Sequence, residues 1–360
     1  MKHTVSAVGR LLNIVIGLLL ALAILAAGCA PLKPLNLPEE NSLPPAQTMY
    51  WDELGAIRSD NWLHLLNDGN EAIDWRLRLI DSASTALDLQ TFLWNNDQTG
   101  LVILRHLYEA ADRGVRVRIL LDDTFTATHD KDILNIDIHP NIELRVYNPY
   151  AHRVSSIVVR ELLNIGDFNR VDHRMHNKAM IVDNRAAIIG GRNLADEYFG
   201  HHGEMNFRDF EVLTAGPAIP EISRQFDEYW NNNWSYPFSM LESVEFEKEG
   251  SEFETWLMNN VKPRLEESPT TRQHAWIQAT RTGISAEFLV IADKPAADNP
   301  VAGENLPVQL AEELLLRAES ARHELILVSA YLIPTPELER VIEQAEDRGV
   351  RVRILTISLR

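Results

Sequence analysis

The sequence predicts an α/β fold that contains a duplicated strand–helix–strand unit, and two observations support this prediction. A strand, an amphipathic helix and a second strand follow one another within residues 85–121, the pattern of a βαβ unit with parallel strands. The nine residues DRGVRVRIL occur at Asp112–Leu120 and again at Asp347–Leu355, each time after a predicted helix. An identical stretch in a matching context indicates an internal repeat.

The first copy of the unit has three elements. Its first strand, helix and second strand are predicted at Thr85–Trp94, Leu101–Asp112 and Val115–Leu121. Gly114 is a natural helix stop, because glycine readily adopts the left-handed conformation that ends a helix. In the second strand arginines alternate with aliphatic residues, so the two kinds occupy opposite faces.

The second copy repeats these elements in the same order. Leu325–Leu327 corresponds to Leu87–Leu89, and a helix at Pro336–Asp347 takes the place of the first one. The sequence ends just after the last strand of this copy, whereas the first copy continues through a further long segment. We therefore expect residues 271–360 to be the start of a second, truncated domain.

The first 29 residues are predicted to be a targeting segment. Lys2 and Arg10 precede or border an apolar run from Leu11 to Ala27, and Cys29 follows as the only cysteine of the chain. This arrangement indicates a secretory signal peptide whose cleavage leaves the cysteine first. It resembles the bacterial lipobox, in which the cysteine is the lipidation site and its thiol carries a diacylglycerol.

Two other interpretations of this segment stay open, an uncleaved membrane anchor and ordinary signal cleavage, since about 17 apolar residues can just span a bilayer core. The expected location is the bacterial cell envelope, with a membrane-anchored lipoprotein facing the periplasm. Ala30 differs from the aspartate that typically retains bacterial lipoproteins at the inner membrane, and this favours the outer membrane. A single cysteine cannot form an internal disulfide.

Composition and patterning divide the chain into five regions. These are a signal peptide and lipobox at 1–29, a tether at 30–50, a first domain at 51–235, a linker at 236–270 and the second domain at 271–360. The net charge is −18, which argues against binding nucleic acid along the surface, because such binding needs a basic stripe that replaces counterions.

The residues that point to chemistry lie within 171–198. His176 and Lys178 are two positions apart, so in an extended segment their side chains point to the same side. A hairpin follows, with strands at Ala179–Val182 and Ala186–Ile189 around a turn at Asp183 and Asn184. Gly190, Gly191 and Asn193 come directly after it, so we expect these groups to converge at one end of the hairpin.

Such a set of groups suits the transfer of a phosphodiester. Imidazole is a nucleophile near neutral pH, and the ammonium of Lys178, the carboxamide of Asn193 and the glycine N–H groups can stabilise charge on the non-bridging oxygens. We expect neither a cofactor nor a metal, because the sequence has no carboxylate cluster or His/Cys spacing typical of magnesium or zinc sites.

The same stretch resembles the signature of the phospholipase D superfamily, H-x-K-x4-D-x6-G-[GS]-x-N. Every fixed position is filled, by His176, Lys178, Asp183, Gly190, Gly191 and Asn193. The following FRDFEVLTAGPAIPEISRQFDEYW is similar to bacterial envelope phosphatidyltransferases of the cardiolipin synthase type, and the likeness extends over about residues 61–360. The resemblance implies a phospholipase D-like duplicated α-β-α sandwich with a mixed sheet, whose second half is truncated.

The resemblance also implies roles. In that family two motifs meet between the two halves; one histidine attacks phosphorus and forms a phosphohistidine, and the other protonates the leaving alcohol. His176 is assigned the nucleophilic role. Asp209, at the head of a predicted strand Phe210–Leu213, is expected to orient its imidazole, with Glu204 as the alternative. Asp183 is expected to be structural and to bond the hairpin's own backbone. The second histidine falls beyond this sequence, so these residues alone are not expected to complete a two-motif site.

Other residues received less specific interpretations. A metal cluster at His201, His202 and Glu204 is disfavoured against a solvated loop. Aromatic residues at helical spacing are expected in the core rather than on lipid; they are Phe226, Tyr229, Trp230 and Trp234. His152, His173 and Arg174 are candidates for lining the pocket.

The expected function is formation of cardiolipin from phosphatidylglycerol and a second phospholipid, with these phospholipids and the membrane as partners and no nucleic acid. The first alternative is a phospholipase D-type phosphodiesterase that hydrolyses phospholipid or, less favoured, nucleic acid. The second alternative is a non-catalytic, lipid-binding envelope lipoprotein. The sequence leaves open the acceptor and which motif histidine attacks first.

Overall fold

A computed structural model describes most of the chain after the predicted signal peptide. The described residues are 32–126, 136, 139–154, 156–164, 167–241, 250–285, 287–295, 309–329 and 332–356. The predicted signal peptide and lipidation site, including Cys29, lie outside the described residues. In the described part no helix is both long and apolar enough to cross a membrane.

Nine strands form one mixed sheet in the order β8-β4-β3-β2-β5-β6-β7-β1-β9. Their bounds are β1 Trp62–Leu66, β2 Ala86–Thr91, β3 Arg116–Asp122, β4 Ile142–Tyr147, β5 Ala179–Val182, β6 Ala186–Gly190, β7 Glu211–Ala215, β8 Ser235–Pro237 and β9 Ile284–Ser285. Strands β2, β3 and β4 are parallel, and the other pairs of neighbours are antiparallel. The predicted α/β fold with a mixed sheet is confirmed.

Ten helices precede β9 in the described part of the chain. They are α1 Met49–Ile57, α2 Gly69–Ser82, α3 Gln98–Asp112, α4 Asp123–Thr126, α5 Ile157–Leu163, α6 Phe168–Val171, α7 Asp196–Phe199, α8 Ile219–Trp230, α9 Gly250–Asn260 and α10 Pro269–Thr282; a 3-10 turn covers Phe238–Met240. Helix α3 begins three residues before its predicted start, because the Asp97 carboxylate caps it by accepting a hydrogen bond from Gly100 N at 2.9 Å.

Successive side chains of each strand point to opposite faces of the sheet, and both faces are buried. Val117 and Ile119 of β3 pack with α2 and α3 on one face, and Leu120 packs with α8 on the other. The aromatic stripe of α8 and the following turn is buried in this second core, as predicted, with Trp230 fully enclosed. The layers are therefore helix, sheet and helix, with a hydrophobic core on each side.

The segment predicted as a tether packs against the domain. Leu32 and Leu35 contact the core under α8, the Tyr236 hydroxyl donates to the carbonyl of Lys33, and Ala46 N donates to Asp183 O at 2.9 Å. The proline-rich composition suggested a free spacer, but its apolar side chains have buried positions available. Residues from 32 onwards thus belong to the folded unit.

The predicted boundary between residues 235 and 271 is also corrected. Helix α10 buries Trp276 completely, with its ring centroid 5.4 Å from that of Trp51 and 5.3 Å from that of Trp75. Strand β9 pairs with β1, and α9 buries Leu257. The first folded unit therefore extends to Ser285, because helices that looked like linker fill one of its cores.

The repeated sequence forms the same structure in both places. A second pair of parallel strands, β10 Glu324–Val328 and β11 Arg351–Leu355, is connected through helix α12 Pro336–Asp347, which packs beside α11 Gln309–Ser320. Leu325 lies opposite Val352 as Leu87 lies opposite Val117. Both preceding helices end at a glycine of positive φ, 88° at Gly114 and 81° at Gly349, the position of a left-handed helix cap.

Candidate active site

One edge of the sheet gathers the predicted site residues. The parallel strands β2, β3 and β4 end there, β6 also ends there, and the antiparallel strands β5 and β7 begin there. His176 and Lys178 precede β5, Asn193 follows β6, and Asp209 precedes β7. Four side chains from three separate segments thus meet at what we call the motif edge, while Asp183 lies at the opposite edge.

His176 and Lys178 share an aromatic neighbour. The imidazole is exposed, and its ring centroid lies 4.8 Å from that of Phe92. Lys178 is 8% exposed; its ammonium lies 5.3 Å from the same phenyl centroid and donates to His176 O at 2.7 Å. A cation over a ring face is held by the ring quadrupole. Phe92 therefore positions both groups.

Burial lowers the pKa values of both groups. Partial desolvation, and then the positive charge of Lys178, lower the pKa of His176, while Asp209 acts in the opposite direction. Burial lowers the pKa of Lys178 to about 8, against the carboxylates of Asp209, Asp122 and Glu211. Near neutral pH the imidazole is therefore largely neutral and the ammonium largely charged, as a nucleophile and an anion-stabilising group require.

Asp209 lies against Gly191 at the motif edge. A Cβ added to Gly191 would come within 2.1 Å of the Asp209 carboxylate, and that carboxylate accepts from Phe210 N at 2.7 Å. It is one of the charges that act on both His176 and Lys178. The alternative, Glu204, is exposed on a loop where its N–H donates to His202. The predicted role of Asp209 in orienting the His176 imidazole remains a prediction.

A buried ionic network holds the backbone of Asp209. The Arg192 guanidinium donates to Asp209 O, to Leu66 O at 2.8 Å and to Asn67 O at 2.9 Å. Glu211 forms a bidentate ion pair with Arg76 and lies 3.5 Å from Arg192. All three charged side chains are less than 5% exposed. Sequence reasoning missed this network, whose members give no local signal except that Arg192 is within the motif.

Asn193 is buried and largely occupied by the protein itself. Its Oδ1 accepts from Leu93 N at 3.1 Å, and its Nδ2 donates to the Tyr198 hydroxyl at 2.9 Å. A carboxamide has two N–H donors, and the Tyr198 hydroxyl accepts from one of them. Asn193 therefore also ties the end of β2 to the motif.

The two glycines make backbone bonds rather than presenting free donors. Gly190 N donates to Lys178 O at 3.4 Å, and Gly191 N donates to Phe210 O at 3.3 Å. A Cβ on Gly190 would lie 2.6 Å from Phe210 O. The expectation that their N–H groups bind substrate is therefore not supported; the glycines permit the close approach of the chain that contains Asp209 and Glu211.

Asp122 fixes the segment that enters the motif. This fully buried carboxylate ends β3 and accepts from Met175 N at 2.8 Å and from Thr124 N at 2.8 Å. Burial raises its pKa, opposed first by Arg174, which lies 3.4 Å away. Ligands of α/β sheets bind at the carboxyl ends of the strands, so an aspartate at the end of β3 could have been predicted as a site residue from the sequence.

Asp183 is structural, although it does not bond the hairpin's own backbone as expected. Its carboxylate accepts from the backbone N–H groups of Ser84, Thr85 and Ala86, at 2.8 to 3.1 Å, and from the Trp51 indole at 2.7 Å. It is 1% exposed. The motif aspartate thus joins the hairpin to the beginning of β2, far from His176.

The less specific candidates have local roles. Arg174 donates to Asn148 O and lies over the Tyr150 ring, His152 N donates to Asn164 Oδ1, and His173 N donates to Arg170 O. His201 Nδ1 lies 3.1 Å from the Thr99 hydroxyl. Within the described ranges no group of three or more His, Cys, Asp or Glu side chains could hold a metal ion.

A histidine and a lysine two positions apart, beside a hairpin at the edge of a layered α-β-α sheet, define a phospholipase D-like site. Residues 77–234 match the family described as cardiolipin synthase, PLD-like domain. Residues 77–234 therefore form a phospholipase D-like domain of the cardiolipin synthase type. The prediction of an enzyme of this superfamily is thereby confirmed at the level of the family.

The relatives include proteins with and without an assigned activity. The chain is 32% identical over 298 residues to cardiolipin synthase C of Escherichia coli K12, covering 80% of this chain and 61% of that protein. It is 31% identical over 322 residues to an uncharacterized protein of Helicobacter pylori, covering 88% and 63%. The chain thus spans about three fifths of the length of these relatives.

One solved structure shows the same fold. Phosphatidylserine synthase of Haemophilus influenzae superimposes with a TM-score of 0.50 at 13% identity, over 85% of this chain and 66% of that one. Such a distant likeness supports the architecture.

Proposed function

We propose that this protein transfers a phosphatidyl group between phospholipids and forms cardiolipin from phosphatidylglycerol and a second phospholipid. The observation that supports this most directly is the pair His176 and Lys178 on Phe92, with a lowered histidine pKa and an ammonium held at the nucleophile. The 32% identical relative named cardiolipin synthase C favours the lipid substrate. The net charge of −18 disfavours a nucleic acid.

The first step of the proposed reaction is attack of the neutral His176 imidazole on phosphorus. The bond from phosphorus to the oxygen of the headgroup glycerol breaks, and glycerol leaves. A second histidine, by the family resemblance, donates the proton that the leaving oxygen takes up. The phosphatidyl group then remains on His176. Lys178 and the remaining N–H of Asn193 stabilise the non-bridging oxygens, and the negative charge of Asp209 stabilises the positive charge on the imidazole ring.

In the second step a hydroxyl group of another phosphatidylglycerol attacks phosphorus. The bond to His176 breaks, cardiolipin leaves, and the hydroxyl proton passes to the base that acted as acid before. Water in place of the lipid hydroxyl would give phosphatidic acid, so transfer and hydrolysis share the first step and differ in the acceptor.

The experiment that tests this proposal uses the protein purified from cells that express its complete gene. It is incubated with deuterated phosphatidylglycerol, and the lipids are analysed by mass spectrometry. We expect doubly labelled cardiolipin and free glycerol. His176→Ala should lower the rate on the order of a thousandfold or more. His274→Ala, an exposed histidine on α10, is the matched control and should leave the rate unchanged. Phosphatidic acid alone would make the protein a hydrolase; no lipid product would contradict the proposal and favour a scaffold, or a nuclease if single-stranded DNA is cleaved.

We also propose that the segment before the described residues anchors the protein in the cell envelope as a lipoprotein. The support is the sequence pattern that ends at Cys29. Cells given labelled palmitate should label the wild-type protein and not Cys29→Ala. Equal labelling of the two would contradict lipidation at this cysteine.

A further inference from the structure

Helix α5, Ile157–Leu163, buries Arg160, one of its two charged residues, and exposes four of its five apolar residues. Arg160 is 1% exposed, and Ile157, Val158, Val159 and Leu162 are 43%, 77%, 45% and 66% exposed. A helix that faces water normally has the opposite arrangement. Contiguous exposed apolar side chains on a folded protein mark an interaction site. Glu161 is the one charged residue that α5 exposes, so its outer face is mainly apolar.

Polar contacts hold this helix in place. The Arg160 guanidinium donates to Val154 O at 2.9 Å and to Thr124 O at 2.7 Å, and lies 5.3 Å from the Tyr150 ring centroid. Thr124 in turn donates to Asp122, the carboxylate that holds the segment entering the motif. The apolar face is thus attached to the same support as His176.

A second set of exposed apolar residues lies on the other side of His176. Helix α5 follows β4 and this second set precedes β7, so both are at the motif edge. The second set consists of Met205, Phe207 and Phe210, which are 59%, 42% and 55% exposed. The exposed imidazole therefore has apolar side chains on both sides along the same edge.

We propose that α5, with Met205, Phe207 and Phe210, inserts into the boundary between headgroups and acyl chains of a lipid bilayer. This inference rests on the proposed function, because a phospholipid keeps its phosphodiester at that boundary with its acyl chains beside it. Apolar residues around His176 place the histidine at that depth. A protein of net charge −18 gains little from electrostatic attraction to anionic lipid, so burial of apolar side chains is the available means of attachment.

A fluorophore that senses its environment tests the docking independently of catalysis. In a Cys29→Ser background, which removes the only cysteine, the dye is attached at Val158→Cys. Vesicles of phosphatidylglycerol and phosphatidylethanolamine should shift its emission to the blue. The matched control is Asp52→Cys, whose side chain is 66% exposed on α1, the helix that contacts Asp183 at the opposite edge. No shift at position 158, or equal shifts at both positions, contradicts the proposal.

An activity measurement separates this inference from the proposed function. Val158→Asp with Leu162→Asp should lower turnover of vesicle phosphatidylglycerol about tenfold or more, and turnover of monomeric short-chain phosphatidylglycerol by less than about twofold. Equal losses on both substrates would overturn the inference. If the wild type acts on neither lipid, the proposed function fails while the fluorophore still decides the docking. A blue shift that grows with protein concentration without vesicles would instead make α5 an interface with a second copy, and would also overturn it.

Discussion

At the scale of single residues, the chemistry of the site depends on the charges of His176 and Lys178 beside Phe92. Desolvation of a cationic group favours its neutral form, and both groups are shifted in this direction. The exposed imidazole has solvent on one side and the phenyl ring on the other. The active protonation state is therefore a neutral histidine beside a protonated lysine.

The rate of phosphatidyl transfer should follow a bell-shaped dependence on pH. It should rise as the imidazole loses its proton, at a pH below the ordinary histidine value of about 6.5, because the pKa of His176 is lowered. It should fall as Lys178 loses its proton around its pKa of about 8. Single-turnover rates measured over about five pH units, from about pH 5 to about pH 10, would show both the rising and the falling limb of this pH dependence.

Asp209→Asn is the variant that checks this interpretation. The carboxylate raises the pKa of both His176 and Lys178, so its removal should move both limbs to lower pH. Limbs that stay in place, or that move to higher pH, would show that Asp209 does not act on these groups.

The pairing of His176 with Lys178 could be predicted from their spacing, since residues two apart on an extended segment share a side. Phe92 and Asp122 could not be assigned in this way. Both lie at strand ends more than 50 positions before the motif. The sheet order that places β2 beside β5, and β3 beside β2, is a tertiary property. The sequence shows which side chains Phe92 and Asp122 have, but it does not show which residues they contact.

At the scale of elements, the hairpin of β5 and β6 is attached to the sheet by its turn. Asp183 and Asn184 have φ of 55° and 51°, the left-handed conformation of tight hairpin turns. The Asp183 carboxylate accepts from three consecutive backbone N–H groups at the start of β2. This contact sets where the hairpin lies beside β2 and, at its other end, where His176 lies.

Asp183→Ala should therefore destabilise the fold without removing a reacting group. Three backbone N–H donors and the buried Trp51 indole would lose their acceptor, which costs roughly 3 kcal/mol of unfolding free energy. Chemical denaturation measures this loss. Asp172→Asn, a change at an exposed carboxylate, should change the free energy by less than about 0.5 kcal/mol. A stable Asp183→Ala protein without activity would instead indicate a direct catalytic role.

The strands of the repeated unit were predictable to within a few residues because each is a short apolar segment between turn signals. The backbone partners of Asp183 were not predictable, because the N–H groups that donate to it are 97 to 99 positions away. A turn aspartate usually bonds nearby backbone, and only the pairing of β2 with β5 explains the exception.

At the scale of the whole molecule, the first folded unit includes segments from both ends of its predicted range. Residues from 32 onwards pack under α8, and α9, α10 and β9 complete the other side. Composition alone could not show this, since a stretch with few strand or helix signals is assigned to a linker by default. Trp51, Trp75 and Trp276 meet only because the chain returns to the same core.

Trp276→Ala should lower the stability of the first unit by about 3–5 kcal/mol, the usual cost of removing a buried tryptophan side chain. The variant would also lose the hydrogen bond that the Trp276 indole N–H donates to the Ser82 hydroxyl at 3.0 Å. Thermal unfolding of the variant measures the loss. His274→Ala, on the same helix and exposed, should change the unfolding temperature little. A Trp276→Ala protein as stable as the wild type would mean that α10 is a linker after all.

In the proposed mechanism His176 attacks phosphorus and holds the phosphatidyl group. The most direct measurement is mass spectrometry of peptides from protein that has reacted briefly with phosphatidylglycerol and been quenched at alkaline pH, where a phosphohistidine survives. We expect a phosphatidyl adduct on the peptide that contains His176, and a smaller yield of that adduct in Lys178→Ala. An adduct on another residue, or turnover that continues in His176→Ala, would contradict this mechanism.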